Sequence, residues 1–225
     1  SRIVQERALP PLIALATSHD TNTKGEASRA VSNLSANPDM HQQLLREGVL
    51  PPLVEALGRD EFNCQRFASL CIANLATTVA AQVKVVQAGA IRPLIAVALD
   101  ERNQIEARRY AVLALANLCA TGANHLALIE EGGLQALFSL CNSADLMSKY
   151  YVGVALANLA CSPANHQIMV EEGGLQPIIT LAFNEDPDVH QQATAALRGL
   201  SVTDSNKASG PTQTKAFVSC ESHDR

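Results

Sequence analysis

The chain has 225 residues, 47% of them apolar, enough for one continuous core and incompatible with disorder throughout. Aromatics are 4% and Trp is absent while Ala and Leu dominate, which favours close-packed helices over a sheet of β-branched and aromatic residues. A formal net charge of -5 argues against a surface selected as a whole for phosphate backbones.

Five segments recur in one register: ASRAVSNL (27–34), ASLCIANL (68–75), AVLALANL (111–118), VGVALANL (152–159) and ATAALRGL (193–200). The Asn near the end of each serves as a marker: Asn33, Asn74, Asn117 and Asn158, then Gly199, separated by 41, 43, 41 and 41 residues. Arg7, Gly48, Gly89, Gly132 and Gly173 keep the same period, each followed by a motif of the type L-P-P-L-[VI].

In chain order, residues 1–36 supply the second and third helices of a first unit, which is therefore incomplete: one around Leu9 and Leu12, one ending near Asn33. Unit 37–77 has all three, with a short first helix over Met40–Arg46, a middle helix on Leu50/Leu53, and a last helix that buries Ala68, Cys71, Ile72 and Leu75. Unit 78–120 repeats the pattern with Ile91/Leu94 and Ala111, Ala114, Leu115 and Leu118; two extra residues are expected in the turn between its last two helices. Unit 121–161 opens with a short helix over Ala123–Glu130 and continues on Leu134/Leu137. Unit 162–202 opens over Pro163–Val170 and continues on Leu175/Ile178, and Gly199 replaces its marker. Pro11, Pro52, Pro93 and Pro177 fall in the first turn of the middle helices, where a missing N–H costs nothing, and the Gly before each middle helix ends the helix that precedes it. No unit can bury its apolar face alone, so the units stack and the fold class is all-α. Residues 203–225 carry no helical stripe and read as a disordered polar tail.

Units of this length with E-G-[VG]-L-P-P-L and A-x-x-A-L-x-N-L resemble the armadillo-repeat family over residues 1 to 202. The likeness is nearer to β-catenin and the yeast vacuolar armadillo scaffold than to importin-α. It implies a right-handed α-solenoid of about five units whose last helices line a concave groove for extended peptides.

In such a groove Asn33, Asn74, Asn117 and Asn158 would clamp a guest backbone, since one carboxamide both donates and accepts. With helices stacked at roughly 9 to 10 Å and an extended chain advancing about 3.3 Å per residue, successive amides would engage every third guest residue or so. The residues themselves leave a second reading open, in which each amide ties down the turn after its helix. Four residues before the marker stand Arg29, Leu70, Leu113 and Val154, where importin-α carries Trp; no Trp exists here. Eight before it stand Gly25, Arg66, Arg109, Tyr150 and Gln191, with Arg108 and Lys149 adjacent. Arg29, Arg66 and Arg109 make a basic strip that would suit an acidic guest, as in the β-catenin groove; the alternative is that they are ordinary solvated charges.

Other candidates carry no chemistry. His41, His125 and His166 occupy one repeat position, and the pairs Glu130/Glu131 and Glu171/Glu172 another. Asn33-Leu34-Ser35 matches a glycosylation sequon but lies within a helix. No phosphate loop, nucleophile elbow or metal spacing is present, so no catalytic, cofactor or metal residue is assigned. Six cysteines without C-x-x-C spacing suit a reducing compartment, and no apolar stretch of about 18 residues suits a membrane. The expected function is a non-catalytic scaffold or adaptor holding an extended, acidic segment of a partner protein, with no nucleic acid, small-molecule substrate or membrane insertion. The expected location is the cytoplasm, with the nucleus as the alternative. A nuclear-transport-type cargo adaptor and the targeting domain of a larger enzyme such as a ubiquitin ligase are the competing readings.

Overall fold

The computed structural model describes residues 8–201. Arg7 and the tail 203–225 lie outside the described residues. All regular elements among the described residues are helical. They divide into two compact units, one up to Ala114 and one from Leu115, the division falling within a helix.

The first unit holds α1 (Leu9–Leu15), α2 (Thr21–Ser35), a 3-10 turn (Pro38–Met40), α3 (His41–Arg46), α4 (Leu50–Leu57), α5 (Phe62–Leu75), α6 (Val79–Gln87), α7 (Ile91–Leu99) and the start of α8 (Ile105–Cys119). Prolines occupy the first turn of α1 and α4, and the Asp20 carboxylate caps α2 by accepting from the Thr23 backbone N–H. Gly48 takes φ 76°, and the next N–H, that of Val49, reaches back to the Leu44 carbonyl. This left-handed closure stops α3 and turns the chain into α4. Helix α5 packs on both α2 and α4, burying Ala68, Cys71, Ile72 and Leu75 completely. Each buried Leu or Ile side chain contributes about 1.5–3 kcal/mol.

The two extra residues of the third repeat are shared between helix and turn. Helix α7 has nine residues where α4 has eight, and the turn that follows runs over 100–104 where that after α4 runs over 58–61. The third repeat thus keeps its register without a bulge inside α8.

The second unit holds the rest of α8, a 3-10 turn (Gly122–Asn124), α9 (His125–Glu130), α10 (Gly133–Leu140), α11 (Leu146–Ala160), α12 (Pro163–Glu171), α13 (Leu175–Ala182) and α14 (Pro187–Ser201). Gly173, at φ 81°, repeats the closure seen at Gly48, with the Gly174 N–H on the Met169 carbonyl. Helix α11 is buried on nearly every side and packs closely against α14. A Cβ added at Gly199 would stand 2.7 Å from the Ala160 carbonyl oxygen. The last marker is glycine because the neighbouring backbone leaves no room for a side chain.

Candidate functional site

The marker amides sit near the C-terminal ends of the last helices, in different surroundings. In the first unit Asn33 is exposed at the end of α2, whereas Asn74 on α5 is 7% exposed. Its Nδ2 donates to Ser35 Oγ at 3.1 Å, and that hydroxyl donates in turn to the Ser32 carbonyl at 2.6 Å. The Asn74 amide therefore links its own repeat to the preceding one. In the second unit Asn117 is buried and has an interaction of its own. Asn158 is half-buried on α11, and its Nδ2 is buried with no hydrogen-bond partner. A buried donor left unmade costs about 1–3 kcal/mol.

The charged positions differ as well. Arg29 is exposed on α2 and spends its guanidinium on Glu26, with Nε at 3.1 Å and Nη2 at 2.5 Å. The half-buried Arg66 on α5 lies over the Phe67 ring, 4.8 Å from its centroid. Arg109 on α8 is half-buried and engaged. On α11, Lys149 and Tyr150 are half-buried, and the Tyr150 ring lies 5.6 Å from that of Tyr151 at 60°. Arg29 and Arg66 thus stand on packed helices, but only Arg66 is without an acidic partner among those bonds.

Two polar columns do structural work that the marker and groove positions did not reveal. Nine residues before the marker stand Lys24, Gln65, Arg108, Lys149 and His190. Gln65 Nε2 donates to the Leu57 and Arg59 carbonyls, Arg108 Nε to that of Ala98, and His190 Nδ1 to that of Ala182. Each closes the turn between the middle and last helices of its repeat. Two of the column also reach the next repeat, because Lys24 Nζ binds Glu61 at 2.7 and 2.9 Å and Gln65 Oε1 accepts from Asn103 Nδ2 at 2.5 Å. A polar residue recurring at one repeat position of the last helices was the available signal.

The second column starts each first helix. His41 binds the Ser35 carbonyl and Gln82 that of Ala76; in the second unit His125 binds Cys119 and His166 binds Ala160, all through one side-chain N–H six residues on. Burial pushes the pKa of His125 below its ordinary value, against a smaller opposing effect of its bond to Cys119. Among the described residues no group of three His, Cys, Asp or Glu could hold a metal, and no single helix is long and apolar enough to cross a membrane.

The Armadillo/beta-catenin-like repeat profile matches residues 1–36 and 162–202. No curated protein sequence matches the chain. Among solved structures it is similar to a computationally designed armadillo repeat protein for modular peptide recognition, with 29% identity, TM-score 0.83 and coverage of 88% of this chain and 84% of that one. A designed armadillo repeat protein in complex with the peptide (KR)4 matches at 28% identity and TM-score 0.82, again covering 88% and 84%. Repeat period, helix order and these likenesses agree on an all-helical fold of the armadillo-repeat type, and the armadillo profile itself matches the first and last repeats.

Proposed function

We propose that this protein is a non-catalytic scaffold whose last helices hold an extended segment of a partner protein. The observation that carries the reading is Asn158, whose buried Nδ2 lacks an acceptor and stands at the position that the family uses to grip a guest backbone. The likeness to proteins designed for peptide recognition supports it. Lys149, about two and a half turns before Asn158 on the same helix, favours an acidic guest and opposes a basic one such as the (KR)4 peptide of the designed relative. The free thiols of Cys64, Cys71, Cys119, Cys141 and Cys161 support a reducing compartment such as the cytoplasm.

Fluorescence anisotropy with labelled extended peptides tests this. An acidic peptide should bind more tightly than a basic one of equal length, and Asn158→Ala should weaken it by about 1–3 kcal/mol at any salt concentration. Tighter binding of the basic peptide would overturn the charge preference. An Asn158→Ala variant that binds like the parent would overturn the clamp.

A further inference from the structure

The first residue of the last helix sets the inner repeats apart from the outer ones. Twelve places before the marker stand Phe62 on α5, Ile105 on α8 and Leu146 on α11, where the first and fifth repeats carry Thr21 and Pro187. Helices α2 and α14 start on those two residues, so folding does not require a large apolar side chain at this place. Nor is the side chain buried: Ile105 is 40% exposed, Leu146 46% and its neighbour Met147 41%, while Phe62 is half-buried. Exposed apolar surface that recurs at one position of the inner repeats marks an interaction site.

A cation follows one turn later. Arg66 comes four residues after Phe62 and Lys149 three after Leu146, steps that set the members of each pair side by side on the helix surface. Among the described residues neither Arg66 nor Lys149 has a carboxylate within ion-pair reach. The first repeat has Gly25 at the four-residue step and binds its Lys24 to Glu61. Apolar surface and an uncompensated cation therefore stand together on α5 and again on α11.

The spacing between helices sets the conformation of what binds. The starts of α5 and α8 lie side by side, because Gln104 Nε2 donates to Asn63 Oδ1 at 3.3 Å and Asn103 Nδ2 to Gln65 Oε1 at 2.5 Å. Stacked helices stand roughly 9 to 10 Å apart. A polyproline-type chain has three residues per turn and rises about 3.1 Å for each, so every third side chain returns to one face after about 9 Å. In a β-strand the faces alternate, and third neighbours point opposite ways.

We propose that the guest is an extended segment of polyproline-type conformation with an apolar side chain at every third position and carboxylates between. Its apolar side chains rest on Phe62 and Ile105 in the first unit and on Leu146 and Met147 in the second. Its carboxylates meet Arg66 and Lys149. The inference rests on the reading of an acidic guest along the last helices, and adds what the rest of that guest must be.

Fluorescence anisotropy with labelled peptides of equal length tests the two separately. The wild type should bind (ELE)4 about tenfold or more tightly than (ESE)4, which has the same charge, and than (ELLEEE)2, which has the same composition with its leucines paired. Ile105→Thr and Leu146→Thr place at exposed sites the residue that starts α2, so both should fold. Each should reduce the advantage of (ELE)4 and leave (ESE)4 binding unchanged. Equal binding of (ELE)4 and (ESE)4, both tighter than (KSK)4, would overturn the inference and leave the acidic-guest reading standing. Tighter binding of (KSK)4 than of (ESE)4 would overturn that reading itself. Equal binding of (ELLEEE)2 and (ELE)4, or an advantage of (ELE)4 that both variants keep, would overturn the assigned spacing and surface.

Discussion

Asn165 Nδ2 lies 2.8 Å from His125 Nδ1 and 2.9 Å from the Leu159 carbonyl, across a sequence separation of 40 residues. One amide group therefore donates to a ring nitrogen of the fourth repeat and to the end of that repeat's last helix. Nδ1 can accept only when it is unprotonated, so His125 is neutral and its Nε2–H donates to the Cys119 carbonyl at 2.8 Å.

A pH dependence follows. The folded-state pKa of His125 is lowered by burial, while the unfolded chain takes up its proton near the ordinary value of about 6.5. The unfolded state then binds more protons below that value, so the contribution is complete above it and is lost as the pH falls from there towards the lowered pKa. His125→Gln keeps a donor for the helix end, as Gln82 does in the third repeat, but cannot titrate. Urea midpoints at about pH 7.5 and pH 5.5 should fall less between the two for His125→Gln than for wild type. Equal falls would mean that this histidine is not the linked group.

The marker amides should divide by their partners. Asn74→Ala removes a bond to Ser35 and should cost about 1–2 kcal/mol in urea unfolding. Asn158→Ala removes a donor that has no partner and should cost less than half as much. Reversal of that order would contradict the assignment of Asn158 to binding and Asn74 to stacking.

Lys24 and Glu61 form an unequal ion pair, with side chains 4% and 27% exposed. Glu61→Ala strands a buried ammonium and should destabilise by about 2–4 kcal/mol, whereas Lys24→Met leaves a carboxylate that water can reach and should cost about 0–1 kcal/mol. Chemical denaturation of both variants and of the double mutant checks this; a double mutant less stable than Glu61→Ala would refute the asymmetry.

Gly199→Asn restores the marker of the other repeats. A glycine inside a helix is ordinarily worse than its replacement by about 0.5–1 kcal/mol. Here the new Cβ would meet the Ala160 backbone at 2.7 Å, so the sign should reverse, to a loss of about 1–3 kcal/mol in thermal or urea unfolding. A stabilised variant would mean that α11 and α14 separate readily.

The helix order and the buried positions of the last helices were legible in the sequence because a period of 41 residues repeats the same apolar spacing, and Ala68, Cys71, Ile72 and Leu75 stand where that spacing puts them. The columns that join repeats were not legible. Whether Asn74 faces a guest or Ser35, and whether Arg29 faces a guest or Glu26, depends on side-chain reach across a fold that spacing does not describe. Gly199 looked like a lost marker and is a packing requirement; its cause lies 39 residues away, at Ala160.

Tyr150 and Tyr151 have a practical consequence for every unfolding curve. The chain contains no Trp and three tyrosines, Tyr110, Tyr150 and Tyr151, all in the last helices of the third and fourth repeats. Near-ultraviolet emission therefore reports on α8 and α11 alone, whereas far-ultraviolet dichroism weighs all the helices. Repeat proteins lose their outer units before their inner ones when stacking energies are local. An optical trace from the tyrosines would stay flat while the first repeat melts, because its helices carry no tyrosine and pack on α5, whereas melting of the fifth repeat would strip α14 from α11 and register in both curves.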